Sequence, residues 1–194
     1  DFDSLFAFLC NNVVLIYVST ENLDDAFKLF TVLNNRGVKL RNADILKADN
    51  LSNVPENLQD GYAKQWEDIE SYFGEDFDKF LSHLQSVLVK EKARLSLLDE
   101  FEKNIFLAER LNKGDDFFNF INRYKENYEY LFDTTQDKQL KSLLILMQVG
   151  FESDIWIAPL LKYYDKFKEE NLVKFVEKLN NKFASDWISQ LTPT

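Results

Sequence analysis

The N-terminal part of the chain places a helical pattern next to one unbroken apolar run. Apolar residues recur at helical spacing over residues 3–11, which predicts a short first helix. Residues 13–18 form a continuous β-branched and aromatic run of strand length, the pattern of a strand that is buried on both faces. A lone strand is unstable, and no partner for it is evident downstream. The sequence therefore predicts one short buried strand whose sheet is completed by residues upstream.

A helix–loop–helix pattern follows the apolar run. Residues 22–33 carry one apolar face at helical spacing, and Gly37 lies just past the last apolar position, where glycine is the usual helix stop. A second helix is predicted to begin at Asn42, which acts as its N-cap. Asp44 then lies in the first turn, where its charge complements the positive end of the helix dipole. The short polar connection between the two helices is a place where side chains can be held toward a ligand.

From Pro55 onward the pattern is a succession of amphipathic helices. Residues 91–113 are left open, because residues 105–108 fit either a helix or a second strand. Pro159 is predicted to lie in the first turn of a helix, where proline is tolerated, or else to kink it. The remaining apolar stripes predict helices over residues 58–73 (ended by Gly74), 77–88, 117–131, 140–147 (ended by Gly150) and 172–187.

Composition supports a mainly α fold. The 194 residues include 45% hydrophobic residues, enough for a sizeable core. Phe 18 and Tyr 8 stand against Gly 5 and Pro 3, so the chain has many core anchors and few residues that break helices. The aromatic stripes lack interleaved basic residues and are interpreted as core. We expect a multi-helix bundle with one short buried strand near the N-terminus.

Charge and cysteine content exclude several classes of function. The net charge is -10 and no basic stripe is present, so this chain alone is not expected to grip nucleic acid. The apolar runs are far shorter than the roughly 20 residues of a membrane helix. We therefore expect a soluble, cytoplasmic protein with no membrane partner. The single cysteine, Cys10, is predicted to be a buried small hydrophobic residue.

Candidate catalytic and metal-ligating residues are few. His83 is the only histidine and has no evident Ser, Cys or metal partner, so we interpret it as a core or helix-surface residue. One cysteine and one histidine give no ordinary zinc site. Acidic clusters at residues 75–78 and 99–102 lack the spacing of a calcium loop and are interpreted as solvated helix ends. The sequence therefore predicts no catalytic residue and no metal ligand.

The helix–loop–helix stretch resembles a known family. The chain begins at Asp1 without an initiator methionine, which we interpret as a fragment of a longer protein. Over residues 13–50 the chain is similar to the N-terminal domain of GmrSD-type restriction endonucleases. The resemblance depends on the order Phe30, Leu33-Asn34, Arg36-Gly37, Leu40 and Asp44-Ile45-Leu46-Lys47.

The resemblance implies a fold and a function. Family members are bacterial defence proteins that act on modified phage DNA. Their N-terminal domain is related to the ParB and sulfiredoxin fold and binds and hydrolyses nucleoside triphosphate with a divalent cation, and a His-Asn-His nuclease domain often follows. The family's Asp-Gly-Gln-Gln-Arg element would lie upstream of this chain. On this interpretation residues 1–54 end the ParB-like domain and residues 55–194 form a helical subdomain.

The resemblance also implies a site and its partners. Asn34, Arg36 and Gly37 would form one wall of the nucleotide site, although the same residues also fit a plain helix C-cap. Asp44 and Lys47, one turn apart, are interpreted as a structural pair. The partners would be the N-terminal half of the same domain and a C-terminal nuclease, with DNA reached only through the full-length protein. No cofactor is expected on this fragment alone.

Two hypotheses of different class result. The first is a fragment of a modification-dependent restriction protein that supplies the helical half of a nucleotide-binding domain regulating DNA cleavage. The alternative is a non-enzymatic helical module that binds a partner protein through aromatic grooves and an acidic surface.

Overall fold

The computed structural model describes residues 2–13 and 41–189, and the chain divides into two compact units, Asp1–Leu40 and Arg41–Thr194. In the first unit the described element is helix α1, Phe2–Asn12. The residues of the predicted strand beyond Val13, and the predicted helix over 22–33, lie outside the described residues. Cys10 is exposed on α1, so the prediction of a buried thiol is wrong. None of the residues of α1 is buried, so the apolar run that contains Cys10 does not form a buried face there.

The described part of the second unit is mainly helical, which confirms the mainly α prediction. No strand is present in residues 41–189. The α-helices are α2 Asn42–Leu51, α3 Glu56–Phe73, α4 Phe77–Val89, α5 Leu97–Asp99, α6 Asp115–Glu129, α7 Lys138–Gly150, α8 Ile157–Phe167 and α9 Leu172–Ile188. A 3-10 turn, Gly74–Asp76, joins α3 to α4, and π-helical segments Glu100–Phe106 and Tyr130–Thr134 extend α5 and α6.

Local sequence explains several helix ends. Gly74 adopts a φ of +56° at the end of α3, a conformation that glycine reaches without a Cβ penalty. The Asp137 carboxylate caps α7 by accepting hydrogen bonds from the backbone N–H of Gln139 and Leu140 at 2.9 and 3.0 Å. Pro159 is the third residue of α8, as predicted for a first-turn proline. The described residues contain no helix with the length and hydropathy of a transmembrane span.

Two sequence predictions are corrected or resolved here. Asn42 is not the N-cap of α2 but its first helical residue, and Arg41 occupies the cap position. The Asn42 side chain instead donates a hydrogen bond to Asp78 of α4 at 2.8 Å. Within the open stretch 91–113, residues 97–106 are helical and the rest is turns and irregular structure, and Ile105 is fully buried in the π-helical segment. Because α2 packs against α3 and α4, it lies in the same compact unit as the helices that follow the predicted domain boundary at residues 54 and 55.

The core is built from the aromatic stripes. Trp66 of α3 is 0% exposed and its ring lies 5.0 Å from that of Phe77 in an edge-on arrangement. Phe117 and Phe118 of α6 lie 5.9 and 6.0 Å from the same indole ring. Edge-to-face and offset aromatic pairs at these distances add to the free energy gained by burial. The aromatic-rich helices therefore meet at Trp66, as expected for core residues.

A buried polar contact fixes α2 to the start of α6. Asn50 is fully buried, donates to the Leu46 carbonyl at 2.9 Å and accepts from the Gly114 N–H at 3.2 Å. Gly114 has a φ of +81°, and a Cβ built there would lie 2.7 Å from the backbone oxygen of Asn53. The close approach of the two backbones therefore requires glycine at this position.

Replacing Gly114 with alanine is expected to lower the free energy of unfolding by about 1–3 kcal/mol, because the new methyl group meets backbone at a strained φ. Gly61 in α3 is the matched control, since a Cβ there has no other atom within 4 Å. Gly61→Ala should raise stability by about 0.5–1 kcal/mol through helix propensity. Urea unfolding followed by circular dichroism measures both changes. Equal effects of the two substitutions would contradict the proposed backbone contact.

Candidate functional site

The residues predicted to contact nucleotide, Asn34, Arg36 and Gly37, lie outside the described residues. The described part of the helix–loop–helix stretch begins at Arg41 and continues through α2. The structure therefore gives the surroundings of α2 rather than the geometry of the loop.

The start of α2 is joined to α3 by ion pairs and to α4 by the Asn42–Asp78 hydrogen bond. The Arg41 guanidinium contacts the Asp44 carboxylate at 3.5 Å and also pairs with Glu70 of α3. The Lys47 ammonium lies 3.0 Å from the Glu67 carboxylate of α3. Asp44 and Lys47 thus have structural contacts, but each pairs with another residue and not with its predicted partner. These contacts anchor the helix that follows the predicted loop.

An open acidic groove lies beside these contacts, between α3 and α4. Its volume is about 630 Å³. Several carboxylates line this groove, together with one guanidinium, that of Arg41, which already pairs with Glu70. The excess of negative charge makes the groove unsuitable for a phosphate group. The lining residues are Arg41, Glu67, Glu70, Ser71, Gly74, Glu75, Phe77 and Asp78.

A second cleft, about 300 Å³ in volume, is lined by aromatic, acidic and basic side chains and by the histidine. It lies where the end of α3, α4, the end of α6 and α8 meet. We call it the aromatic cleft, and its lining residues are Tyr72, Phe73, Asp76, Lys79, Phe80, His83, Tyr128, Asp133 and Ile157.

Stacked rings form the wall of the aromatic cleft. Phe73 and Phe80 stack with their centroids 4.1 Å apart. Tyr128 stands edge-on to both, at 5.1 Å from Phe73 and 6.0 Å from Phe80. These arrangements fix the rings in place, so the cleft is formed by packed side chains from three helical segments.

Carboxylates give the aromatic cleft a negative potential. Tyr72 donates a hydrogen bond from its hydroxyl to the Asp133 carboxylate. Burial and the negative charge of Asp133, Asp76 and Asp154 raise the pKa of Tyr128 above its ordinary value. Burial and the Asp133 contact raise the pKa of Tyr72 in the same way. Both hydroxyls therefore remain protonated at neutral pH.

His83 lines the cleft and lies beside a carboxylate that sequence reasoning missed. Its side chain is 9% exposed, and Nε2 is 3.5 Å from Asp154 Oδ2. The Lys79 ammonium binds the same oxygen at 3.0 Å. Burial lowers the pKa of His83 more than Asp154 raises it, so the imidazole is neutral at pH 7. Asp154 lies between α7 and α8, far from His83 in sequence, so helical periodicity did not reveal this contact.

Glu100 is buried, which corrects its interpretation as part of a solvated helix end. It is 2% exposed, and one carboxylate oxygen accepts hydrogen bonds from the backbone N–H of Arg94 and Leu95 at 2.7 and 3.0 Å. The other oxygen accepts from Asn104 at 2.6 Å and Gln85 at 3.1 Å. Burial by itself would raise the pKa of Glu100, but these hydrogen bonds outweigh it and lower the pKa. Glu100 therefore fastens the segment before α5 to α4.

No metal centre is evident in the part of the chain that the structure describes, because no three His, Cys, Asp or Glu side chains converge there. Comparison with curated proteins found no match, and comparison with solved structures found none. A match to one family model covers most of the chain, including all helices from α2 to α8. The chain belongs to DUF7834, a family of unknown function, whose model matches residues 33–184.

Proposed function

We propose that this chain is the helical half of a nucleoside-triphosphate-binding domain in a bacterial, modification-dependent restriction protein. The observation that carries the proposal is the order of residues from Phe30 to Lys47, which resembles GmrSD-type proteins. In this proposal the domain acts in phage defence, regulates DNA cleavage by a nuclease domain and has a ParB-like N-terminal half. That N-terminal half provides the residues that hydrolyse the nucleotide.

The loop residues have distinct chemical roles in this proposal. The planar guanidinium of Arg36 suits bidentate contact with phosphate oxygens, and the Asn34 amide suits a sugar or base edge. Gly37 permits close approach of the backbone. Arg41 is the other arginine of the stretch, and its pairing with Asp44 and Glu70 supports assigning phosphate recognition to Arg36.

Arg36→Ala in the full-length protein is expected to weaken nucleotide binding by about 10- to 100-fold, the loss typical of a charge-assisted hydrogen-bond pair. Calorimetric titration with a non-hydrolysable nucleoside triphosphate and Mg²⁺ measures the change. Arg41→Ala is the matched control, because its guanidinium is engaged by carboxylates and should leave nucleotide affinity unchanged. If folded Arg36→Ala protein binds and hydrolyses nucleotide normally, the assignment of the loop is wrong.

The alternative function, a helical module that binds a partner protein without a nucleotide role, is favoured by one surface. Ile145, Leu146 and Val149 lie on one side of α7 and are exposed, Val149 by 83%. Large exposed apolar side chains on one helix face are typical of interaction surfaces. Val149→Glu in the intact protein tests this surface. If this variant loses DNA cleavage, and if both Val149→Glu and Arg36→Ala bind nucleotide normally, the alternative is preferred.

A further inference from the structure

We propose that the surface shared by α7 and α9 binds an acidic amphipathic helix of another protein. The proposal rests on the alternative function given above, in which the chain is a helical module that binds a protein, and it states the chemistry of the partner. It does not depend on the nucleotide proposal. We call this surface the α7–α9 face, and its exposed members are Lys138, Lys141, Ile145, Leu146, Val149, Lys174, Lys178, Trp187 and Ile188.

Two contacts show how α7 and α9 lie against each other. Gln139, near the start of α7, donates a hydrogen bond to the Glu177 carboxylate of α9 at 2.8 Å. Just after the end of α7, the Phe151 ring lies 6.0 Å from the Phe183 ring of α9. Residue numbers rise in the same direction from one contact to the other. The two packed helices therefore run in the same direction and share one end at the Phe151–Phe183 pair.

Apolar side chains of both helices border the exposed groove between them. Leu146 follows Gln139 by about two helical turns, and Ile188 follows Glu177 by about three, so each lies on the side of its helix that faces the other helix. Both remain exposed, Leu146 by 56% and Ile188 by 76%. The groove therefore has an apolar border on each side.

Further apolar side chains enlarge this surface near the shared end. Val149 lies two residues before Phe151, and Trp187 lies one turn after Phe183. Both are mostly exposed, and Ile145 is exposed one turn before Val149. A single exposed apolar residue is ordinary, but several of them on two packed helices are typical of a surface that binds a protein.

The other end of the α7–α9 face is basic. Helix α7 carries lysines in its first turns and no acidic residue, although the chain has a net charge of -10. The carboxylates at this end are already hydrogen-bonded, Asp137 to the backbone at the start of α7 and Glu177 to Gln139. Four exposed lysines at this end form no ion pair with another described residue: Lys138, Lys141, Lys174 and Lys178.

The order of charge and apolar surface along α7 specifies the partner. Val149 lies roughly 12–16 Å along the helix from the two lysines of α7, at about 1.5 Å per residue. An amphipathic helix in the groove would bury its apolar side chains near Val149 and place carboxylates two to three turns away, beside the lysines. The partner helix is therefore acidic at one end and apolar at the other.

The charges disfavour two other occupants. A symmetric dimer uses the same face on both copies, and this face has no free acidic group to match its lysines. An anionic lipid surface would also meet carboxylates beside the face, such as that of Glu152, which is exposed next to the apolar end. A helix seated in the groove meets the lysines and the apolar side chains without these opposing charges.

The test is selection on the immobilised chain from a phage-displayed library of random peptides of about 16 residues, enough for roughly four helical turns. Fluorescence anisotropy then measures the affinity of each selected peptide. We expect peptides with several Asp or Glu residues at one end and Leu, Trp or Phe at the other. Their affinity should fall as the salt concentration rises, because attraction between exposed charges is screened.

Matched variants locate the site on the α7–α9 face. Val149→Glu should weaken binding of the selected peptides by at least about 10-fold, whereas Leu107→Glu, at an exposed apolar residue outside the face, should not. The double variant Lys138→Glu/Lys141→Glu should weaken binding by about 3- to 10-fold. Lys64→Glu makes the same kind of charge change at an exposed lysine of α3 and should have little effect. Circular dichroism shows whether each variant is folded.

Several results would overturn the proposal. The library yields no binder, the selected peptides lack acidic residues, or they bind Val149→Glu as tightly as the wild type. Sedimentation that shows a dimer of the wild type and a monomer of Val149→Glu would assign the face to a second copy. Binding of phosphatidylserine vesicles that Val149→Glu abolishes would assign it to a lipid surface.

Failure of the acidic partner is distinguishable from failure of the alternative function. Neutral or basic peptides that bind the wild type but not Val149→Glu would overturn the acidic partner and leave protein binding at this face in place. Normal DNA cleavage by Val149→Glu in the intact protein would instead count against the alternative function itself.

Discussion

Replacing Trp66 with alanine is expected to lower the free energy of unfolding by about 3–5 kcal/mol, the range for deleting a large aromatic residue from a packed core. Trp66 is 0% exposed and contacts rings from both α4 and α6. Alanine removes these contacts and leaves a cavity that rigid aromatic neighbours cannot fill. A loss of this size is a large share of the unfolding free energy of a typical domain. A partly unfolded population at room temperature would therefore also report the loss.

Two further tryptophan variants test the mechanism. Trp66→Phe should cost clearly less than Trp66→Ala, because it keeps a ring and removes an indole N–H that has no hydrogen-bond partner in the described residues. Trp187→Ala changes a residue that is 68% exposed and should stay within about 0.5 kcal/mol of the wild type. Urea unfolding followed by far-ultraviolet circular dichroism measures all three. A similar loss for Trp66→Ala and Trp187→Ala would contradict the central position of Trp66.

Glu100→Ala is the second change with a large expected effect, a loss of about 2–4 kcal/mol of unfolding free energy. Removing the carboxylate leaves the backbone N–H groups of Arg94 and Leu95 and the amides of Gln85 and Asn104 without their acceptor. The expected loss is the cost of leaving buried donors unpaired rather than the value of a surface charge.

A neighbouring carboxylate provides the control for Glu100. Glu102 pairs with Lys113 at 2.8 Å, but its side chain is half exposed, so Glu102→Ala should cost at most about 1 kcal/mol. Chemical denaturation of both variants at neutral pH compares them directly. If Glu100→Ala costs no more than Glu102→Ala, Glu100 does not hold the segment before α5.

The lowered pKa of Glu100 predicts the pH range in which its contribution is lost. The folded protein binds the proton more weakly than the unfolded chain, whose carboxyl has the ordinary value of 4.5. The contribution is therefore present in full above that value and disappears as the pH falls below it. His83 acts in the same direction from a higher pH, because its pKa is lowered from 6.5 and the unfolded chain gains the proton first. Glu100→Gln should flatten the dependence only in the lower range.

Helix α2, which carries the last residues of the stretch that resembles GmrSD-type proteins, is held by the Lys47–Glu67 ion pair, the Asn42–Asp78 hydrogen bond and the buried Asn50–Gly114 contact.

The sequence by itself determined most of the described helices from residue 41 onward and much of the core that they form. A period of 3.6 residues identifies which side of a helix is apolar, so the stripes through Trp66, Phe77 and Phe117 predicted both helix and burial. Glycine and proline positions marked several helix ends, because the backbone conformations of these residues are a local property. Gly74, with its positive φ at the end of α3, is an example. The residues of the predicted nucleotide wall, Asn34 and Arg36, were also identified from sequence order alone, and their role stays a prediction.

Only the tertiary structure decided which polar side chains meet. His83 lies 3.5 Å from Asp154, and the Tyr72 hydroxyl donates a hydrogen bond to Asp133. The two residues of each pair are far apart in sequence and belong to different elements. Glu100 belongs to an acidic cluster in the sequence. It lies between Leu97 and Phe101 along the chain, however, and is buried where this segment packs against α4. Periodicity specifies a face within one helix, whereas a partner on another helix depends on how the helices pack against each other. The aromatic cleft and the Glu100 contacts therefore became visible only in the folded chain.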